Sequence, residues 1–299
     1  MQRKIGFVGL GLMGSRMVQN LIAAGFEVIG YDLDADKVNA MIKAGCKKAA
    51  DPAGLAAAVD ILILSLPNSG IVDEVVTDSL GQQDSGSRGL KLIDPTTSDP
   101  VMSEALAEQM RDRGIEMLDA TLSGTPEMCA AGKITMMIGG SEKTYRKCEP
   151  IFSALAAQWF YTGKNGSGAL MKIIVNLVLG LNRMVLAEGL SLGRQAGMDE
   201  GRLLEVLKGS AAYSKAMDMK GDRMVNRELE PASGKLAFHL KDVRLMLDLG
   251  SRLNSPLPLT SLHAQALTSL VAKKRGEWDN AAIISFYDDL ANPNDNIKP

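Results

Sequence analysis

Apolar and polar positions keep two rhythms along this chain. Through the first half, short apolar runs alternate with segments of helical spacing, and beyond Gly163 the helical spacing takes over. Residues 5–9 predict a first strand, and residues 13–24 carry apolar side chains at the three-to-four spacing of an amphipathic helix. Glu27–Tyr31 predicts a second strand, followed by a short helix at residues 37–43. The run Asp60-Ile61-Leu62-Ile63-Leu64-Ser65-Leu66 is almost continuously apolar, the pattern of a central parallel strand covered on both faces. Residues 90–94, 115–119, 134–138 and 159–161 predict further strands. Such alternation implies βαβ units with right-handed crossovers.

The second half reads as a helical bundle, broken at Gly197, near Pro231 and at Pro256-Leu257-Pro258. A glycine-rich turn at residues 163–168 marks the boundary and leads into a long helix expected from about residue 168 to 196. This places one domain at residues 1–163 and another at 164–299. The polar segment 82–89 predicts a surface loop, and the polar tail at 292–299 is expected to fray. The apolar stretch 173–192 is interrupted by Asn176, Asn182, Arg183 and Glu188. A charge at the centre of a membrane span is costly, so the stretch is expected to be a helix surrounded by protein. Its apolar girth exceeds what one small bundle can cover, which predicts a homodimer or homotetramer.

Composition narrows the chemistry. With 299 residues and 46% hydrophobic content, the chain can build one large or two medium cores, and the usual domain size favours two. A net charge of −2, with no basic stripe, argues against a nucleic-acid partner but permits a small anionic ligand. Three widely spaced cysteines form neither a disulfide framework nor a CxxC pair, and the two histidines, His239 and His263, belong to no HExxH motif. Buried thiols and no metal site are expected. The N-terminus lacks a secretory signal pattern, so a cytoplasmic location is expected.

Gly9-Leu10-Gly11-Leu12-Met13-Gly14 is a G-x-G-x-x-G motif between a predicted strand and a predicted helix. Glycine there permits the tight turn and the close approach of a pyrophosphate, and the helix start offers free N–H groups and its positive dipole end. Asp32 closes the second strand, where a carboxylate accepts hydrogen bonds from the adenosine ribose and repels a 2′-phosphate. Leu33-Asp34-Ala35 supply no arginine for that phosphate, so NAD is expected over NADP. A ligand-free turn and an FAD site are the alternatives for the motif alone. The predicted architecture is therefore α/β: an N-terminal Rossmann dinucleotide-binding domain, then an all-α C-terminal domain, joined by the long interdomain helix. Two further loops follow strand ends, one with Leu66 and Pro67 and one with Thr97. Each reads equally as cofactor contact or as turn and helix cap.

Lys172 and Asn176 are four apart and share a helical face. Apolar neighbours, among them Leu170, Met171 and Ile173, suggest that this lysine is sheltered, and proton transfer gives it a reason to be there.

Together these segments resemble the β-hydroxyacid dehydrogenase family, which includes 3-hydroxyisobutyrate dehydrogenase and tartronate semialdehyde reductase. The resemblance covers nearly the whole chain. It rests on the glycine motif with Asn20-Leu21, on residues 119–125, on residues 163–176, and on Phe238-His239-Leu240-Lys241-Asp242. It implies that Lys172 exchanges a proton with the hydroxyl or carbonyl oxygen of a small hydroxy-acid or semialdehyde substrate. Burial or a neighbouring cation would tune that lysine. It further implies that Asn176 orients substrate or Lys172, that Lys241 lies near the nicotinamide, and that Ser123, Gly124 and Thr125 hold the substrate carboxylate.

The family pattern Asp-Ala-Pro-Val-Ser-Gly-Gly reads Asp119-Ala120-Thr121-Leu122-Ser123-Gly124-Thr125 here. Leu122 for valine is mild. Thr125 replaces a glycine expected to face the substrate and so narrows the pocket. His239, two residues before Lys241, is expected to play a structural or second-rank part, and His263 to be packed. An imine reductase of related architecture and a catalytically silent NAD-binding scaffold are the rival readings. Lys172 counts against the first, and Lys172, Asn176 and Lys241 together against the second.

Overall fold

A computed structural model describes residues 3–80 and 89–291. Apart from Gly89, the polar segment predicted at residues 82–89 lies outside the described residues, as does the tail at residues 292–299. The chain forms two compact units, Met1–Lys172 and Ile173–Pro299.

The first unit is built on one eight-stranded sheet. Its elements in chain order are β1 (Lys4–Val8), α1 (Leu12–Ala23), β2 (Glu27–Tyr31), α2 (Ala35–Lys43), β3 (Lys47–Lys48), α3 (Pro52–Ala58), β4 (Ile61–Leu64) and α4 (Ser69–Leu80). There follow β5 (Lys91–Asp94), α5 (Pro100–Asp112), β6 (Glu116–Ser123), α6 (Pro126–Ala130), β7 (Thr135–Gly140), α7 (Glu142–Leu155) and β8 (Gln158–Gly163). The spatial order is β3-β2-β1-β4-β5-β6-β7-β8.

The period of two along a strand explains the two-sided core. On β4, Ile61 and Ile63 face one apolar cluster with Phe7, Met17 and Phe152, whereas Leu62 and Leu64 face another with Val8, Leu55 and Leu92. All four β4 side chains are buried. Burying one such side chain contributes roughly 1.5–3 kcal/mol, so the apolar run at 61–64 fixes the strand at the centre. Helix starts follow the acidic caps: Asp34, Asp51 and Asp99 accept from the first-turn N–H groups of α2, α3 and α5.

One expectation from the alternating pattern fails. β7 runs antiparallel to β6, with Thr121 opposite Met137, and β8 is parallel to β7. The joining segment, residues 124–134, is shorter than the roughly dozen residues that a parallel crossover needs.

Helix α8 (Ser167–Gln195) begins in the first unit and runs on into the second. The remaining elements are α9 (Glu200–Gly209), α10 (Lys215–Asn226), α11 (Leu236–Arg252), α12 (Pro258–Ala272), a 3-10 turn at Asn280–Ile283 and α13 (Ile284–Ala291). The predicted breaks coincide with Gly197, at φ +78°, with the Glu230-Pro231 peptide, and with Pro258 as the first residue of α12. Met184, Ala187 and Leu190 of α8 pack in one cluster with Leu240, Val243 and Met246 of α11 and Leu267 of α12. A buried polar network lies beside that cluster. Asp279, fully buried, accepts from Lys220 at 2.6 and 2.8 Å and from Arg223 at 2.9 Å.

By length and composition α8 could cross a membrane. It is not surrounded by protein as expected. Met171, Val178, Val185 and Leu192, spaced seven apart, are 39–72% exposed, and Ile174 joins them. The opposite side of the helix carries Arg183, buried against α11.

Candidate active site

The turn from β1 into α1 shows which glycines the fold itself requires. A Cβ on Gly9 would lie 2.2 Å from the Ser65 carbonyl oxygen, and one on Gly14 would lie 2.0 Å from that of Gly9. Gly9 also has φ +94°, in the region that favours glycine. Gly11 differs, since a Cβ there would meet nothing within 4 Å. No side chain caps the start of α1, Leu12 is exposed and Met13 is half-buried. Open space over Gly11 at an uncapped helix start fits a dinucleotide pyrophosphate, which needs close approach and free N–H donors.

Asp32 ties this turn to β2. Its Oδ2 accepts from the Leu10 N–H at 2.7 Å and its Oδ1 from the Asp34 N–H at 2.9 Å. Lys37, which the sequence reading passed over, puts its ammonium 3.7 Å from Asp32 and 3.5 Å from Asp34. The signal was its place in the first turn of α2, capped by Asp34. Two carboxylates share this one ammonium, so the pocket edge keeps a negative balance.

The next two strand ends are joined to each other. The Leu66 N–H donates to Thr96 Oγ1 at 3.2 Å, and the Thr96 N–H donates to Asp94 Oδ1 at 2.9 Å. Pro67 is exposed and Thr97 half-buried. Asp94 is buried, and burial pushes its carboxyl up to about 7, with the Asp119 carboxyl on the paired position of β6 adding to the rise.

β6 continues four residues past that pair and ends in Ser123. Ser123 is half-buried and Gly124 is exposed at φ +149°. Thr125 differs from the expectation in one respect: its hydroxyl caps α6, accepting from the Met128 N–H at 3.3 Å. Asn20, part of the matched pattern, straps α1 to α6 by donating from Nδ2 to the Cys129 carbonyl at 2.7 Å.

The start of α8 is anchored on β6. Asp119 accepts from the Gly166 N–H at 2.9 Å and the Ala169 N–H at 3.0 Å, a non-local cap for a helix that lacks its own. Burial raises the Asp119 carboxyl, and these N–H groups hold it down. Lys172, half-buried, lies one turn further along α8.

In the second unit, Asn176 Nδ2 donates to Asp242 Oδ2 at 3.0 Å, and Lys241 Nζ lies 3.4 Å from Asp242 Oδ1. One carboxylate, absent from the predicted site, thus joins two residues that were in it. His239 lies buried on α11. Arg183 Nη2 lies 2.9 Å from its Nε2, and a guanidinium only donates, so Nε2 accepts and the ring is neutral. The His239 and His263 rings pack at 5.1 Å. Burial, with Arg183 beside it, pushes His263 down to about 4. The three cysteines are free and buried, each thiol pushed up to about 11. Among the described residues, no group of three or more His, Cys, Asp or Glu could hold a metal ion.

A mostly parallel sheet with a glycine turn at its first strand, an acidic residue at its second and a helical second unit defines a nicotinamide-dependent oxidoreductase of Rossmann type. Residues 4–163 match the model for the NAD-binding domain of 6-phosphogluconate dehydrogenase, and residues 166–287 match that for the NAD-binding of NADP-dependent 3-hydroxyisobutyrate dehydrogenase. The chain is 32% identical to 2-(hydroxymethyl)glutarate dehydrogenase of Eubacterium barkeri, over 96% of this chain and 95% of that one. It is 28% identical to 2-hydroxy-3-oxopropionate reductase of Escherichia coli, over 97% and 98%. The solved structure of Mycobacterium tuberculosis 3-hydroxyisobutyrate dehydrogenase superposes with a TM-score of 0.86 at 26% identity, covering 95% of this chain and 99% of that one. The chain belongs to the β-hydroxyacid dehydrogenase family.

Proposed function

We propose that the chain catalyses reversible hydride transfer between NAD(H) and a small 3-hydroxy acid or the corresponding semialdehyde, with Lys172 as general acid and base. The observation that carries this reading is the Asp242 carboxylate, which links Asn176 and Lys241. An ionised carboxylate accepts only, so the Asn176 amide must turn its NH2 group toward it. The Asn176 carbonyl oxygen is then left to accept from the Lys172 ammonium or from a substrate hydroxyl.

Bound nicotinamide supplies the hydride acceptor in oxidation and the donor in reduction. In oxidation, the neutral Lys172 amine takes the proton of the substrate hydroxyl, and in reduction its ammonium returns a proton to the carbonyl oxygen. The Ser123 hydroxyl and the backbone N–H groups of Gly124 and Thr125 hold the substrate carboxylate. The glycine turn receives the pyrophosphate, with Leu66, Pro67 and Thr97 along the same strand ends. Asp32 accepts from the adenosine ribose and, with Asp34 beside it, disfavours a 2′-phosphate, which makes NAD the preferred cofactor over NADP.

The exposed stripe of Met171, Val178, Val185 and Leu192 fits a second copy of the chain, because a repeat of seven is what helix-on-helix packing selects. The active form is a homodimer or homotetramer, and a monomeric mass by light scattering at micromolar concentration would overturn that part.

The test of the activity is a turnover panel of short semialdehydes and 3-hydroxy acids with both cofactors. Turnover with NADH that Lys172→Ala abolishes, while NADH binding survives, is expected. A chain that binds NADH and turns over no member of the panel would be a scaffold instead.

A further inference from the structure

We propose that Thr121, acting with Asp119, is a positioning residue for Lys172: it tethers the helix that carries the lysine to the strand that carries Ser123. The inference rests on the reading of Lys172 given above and adds residues that the reading does not use.

Successive side chains on a strand alternate in direction, so Asp119, Thr121 and Ser123 line one face of β6. The first two both reach the start of α8. Asp119 takes the Gly166 and Ala169 N–H groups, and the Thr121 hydroxyl donates to the Gly168 carbonyl at 2.8 Å. That carbonyl is the one an α-helix offers to the N–H of residue 172. The tether therefore acts on the peptide group that fixes where the Lys172 backbone sits.

The close approach is built in. A Cβ on Gly168 would lie 2.4 Å from the Asp119 carbonyl oxygen and 2.7 Å from that of Met137. The helix start lies backbone to backbone on β6 and β7, and a side chain there would lift it off. Thr121 is fully buried, so its hydroxyl has no water to turn to. Its second oxygen neighbour, the Met137 carbonyl, is further away at 3.4 Å.

The spacing then works as a ruler. Ser123 is two residues past Thr121, roughly 6.6 Å along the strand. Lys172 is four residues past Gly168, roughly 6 Å along the helix. Both groups assigned to the substrate sit one short, rigid step from the same hydrogen bond. Strand and helix start therefore move as one body, and the distance from the carboxylate-holding group to the proton-transferring group is held. The family pattern has proline at this position, which supplies no hydroxyl for such a bond.

Three variants test it. Thr121→Val keeps the shape and removes the donor, Thr121→Ser restores it, and Lys172→Ala serves as reference. In Thr121→Val, kcat is expected to fall about tenfold or more, because sub-ångström misplacement of a reacting group is costly. NADH affinity by fluorescence titration and KM for NADH should stay unchanged. Amide hydrogen exchange at residues 169–173 should quicken, and Thr121→Ser should recover both kcat and protection. Wild-type kcat or wild-type exchange in Thr121→Val would overturn the tether, as would a loss of kcat that serine does not recover. If Lys172→Ala is inactive while Thr121→Val keeps full kcat, only the tether falls. Full turnover in Lys172→Ala overturns the lysine reading, and the positioning role with it.

Discussion

Asn176 and Asp242, sixty-six residues apart in the chain, meet through a 3.0 Å hydrogen bond between Nδ2 and Oδ2. The bond fixes which end of the amide is free, and Asp242 pairs with Lys241 through its other oxygen. A hydrogen bond to a charged group contributes about 1.5–3 kcal/mol, which corresponds to roughly ten- to a hundredfold in rate when it orients a reacting group. Asp242→Ala should therefore lower kcat by that range, and Asp242→Asn by less, because an amide can still accept from Asn176. Steady-state kinetics on the best substrate checks this. Wild-type kcat in Asp242→Ala would separate Asn176 from the chemistry.

Asp32 and Lys37 make the cofactor preference testable. The Lys37 ammonium is opposed by two carboxylates, at 3.7 and 3.5 Å. Asp32→Asn removes one charge and keeps a carbonyl oxygen for the Leu10 N–H, leaving Lys37 with Asp34 alone. The ratio of kcat/KM for NADPH to that for NADH should rise at least tenfold, about 1.4 kcal/mol. A wild-type enzyme that already prefers NADPH, or a ratio unmoved by the substitution, contradicts the role given to Asp32.

Much of the fold was legible, for physical reasons visible in single residues. The apolar run at 61–64 allows only a central strand, and Gly197 and Pro258 punctuate the bundle where the sequence marks them. The direction of β7 was not legible from its periodicity, because alternation carries no polarity. The length of residues 124–134 was the available clue. Within the site, the glycine turn could be read because its chemistry is local. The bonds from Asp242 to Asn176, from Thr121 to Gly168 and from Asp119 to Gly166 join residues forty-seven or more apart, and no local pattern encodes them. The exposure of Met171 and Val185 was misread for a related reason. Apolar girth shows that a helix needs cover, and it does not show whose.

Gly180 of α8 lies against two buried rings. A Cβ there would lie 2.6 Å from His239 Nε2 and 2.9 Å from His263 Cε1. Alanine gains up to about 1 kcal/mol in helix propensity over glycine. Forcing a methyl group between two buried rings costs about 1–3 kcal/mol, and displacing His239 also disturbs its bond to Arg183. The second effect should win, so Gly180→Ala is expected to be destabilised by one to a few kcal/mol in urea unfolding, by the same estimate. A variant as stable as the parent would mean that the ring pair yields freely.

Asp94 predicts how stability responds to pH. Its folded carboxyl titrates at about 7, against 3.8 when unfolded, chiefly because it is buried. Between those values the folded state holds a proton that the unfolded state has released, so stability falls as pH rises from about 4 to 7. The full difference is on the order of 4 kcal/mol as an upper bound. Above pH 7 the buried carboxylate is charged and lies beside Asp119, whose own carboxyl burial also raises. Asp94→Asn keeps an oxygen for the Thr96 N–H and cannot ionise. Its melting temperature should exceed the parent's modestly at pH 5 and by several degrees at pH 8, and vary less between the two. For a raised acid the loss starts at the unfolded value, grows up to the folded value and is complete above it, so the gain from Asp94→Asn grows over the same range. Thermal unfolding of both proteins at pH 5, 6.5 and 8 decides the matter, and parallel curves across that range would show that Asp94 does not titrate there.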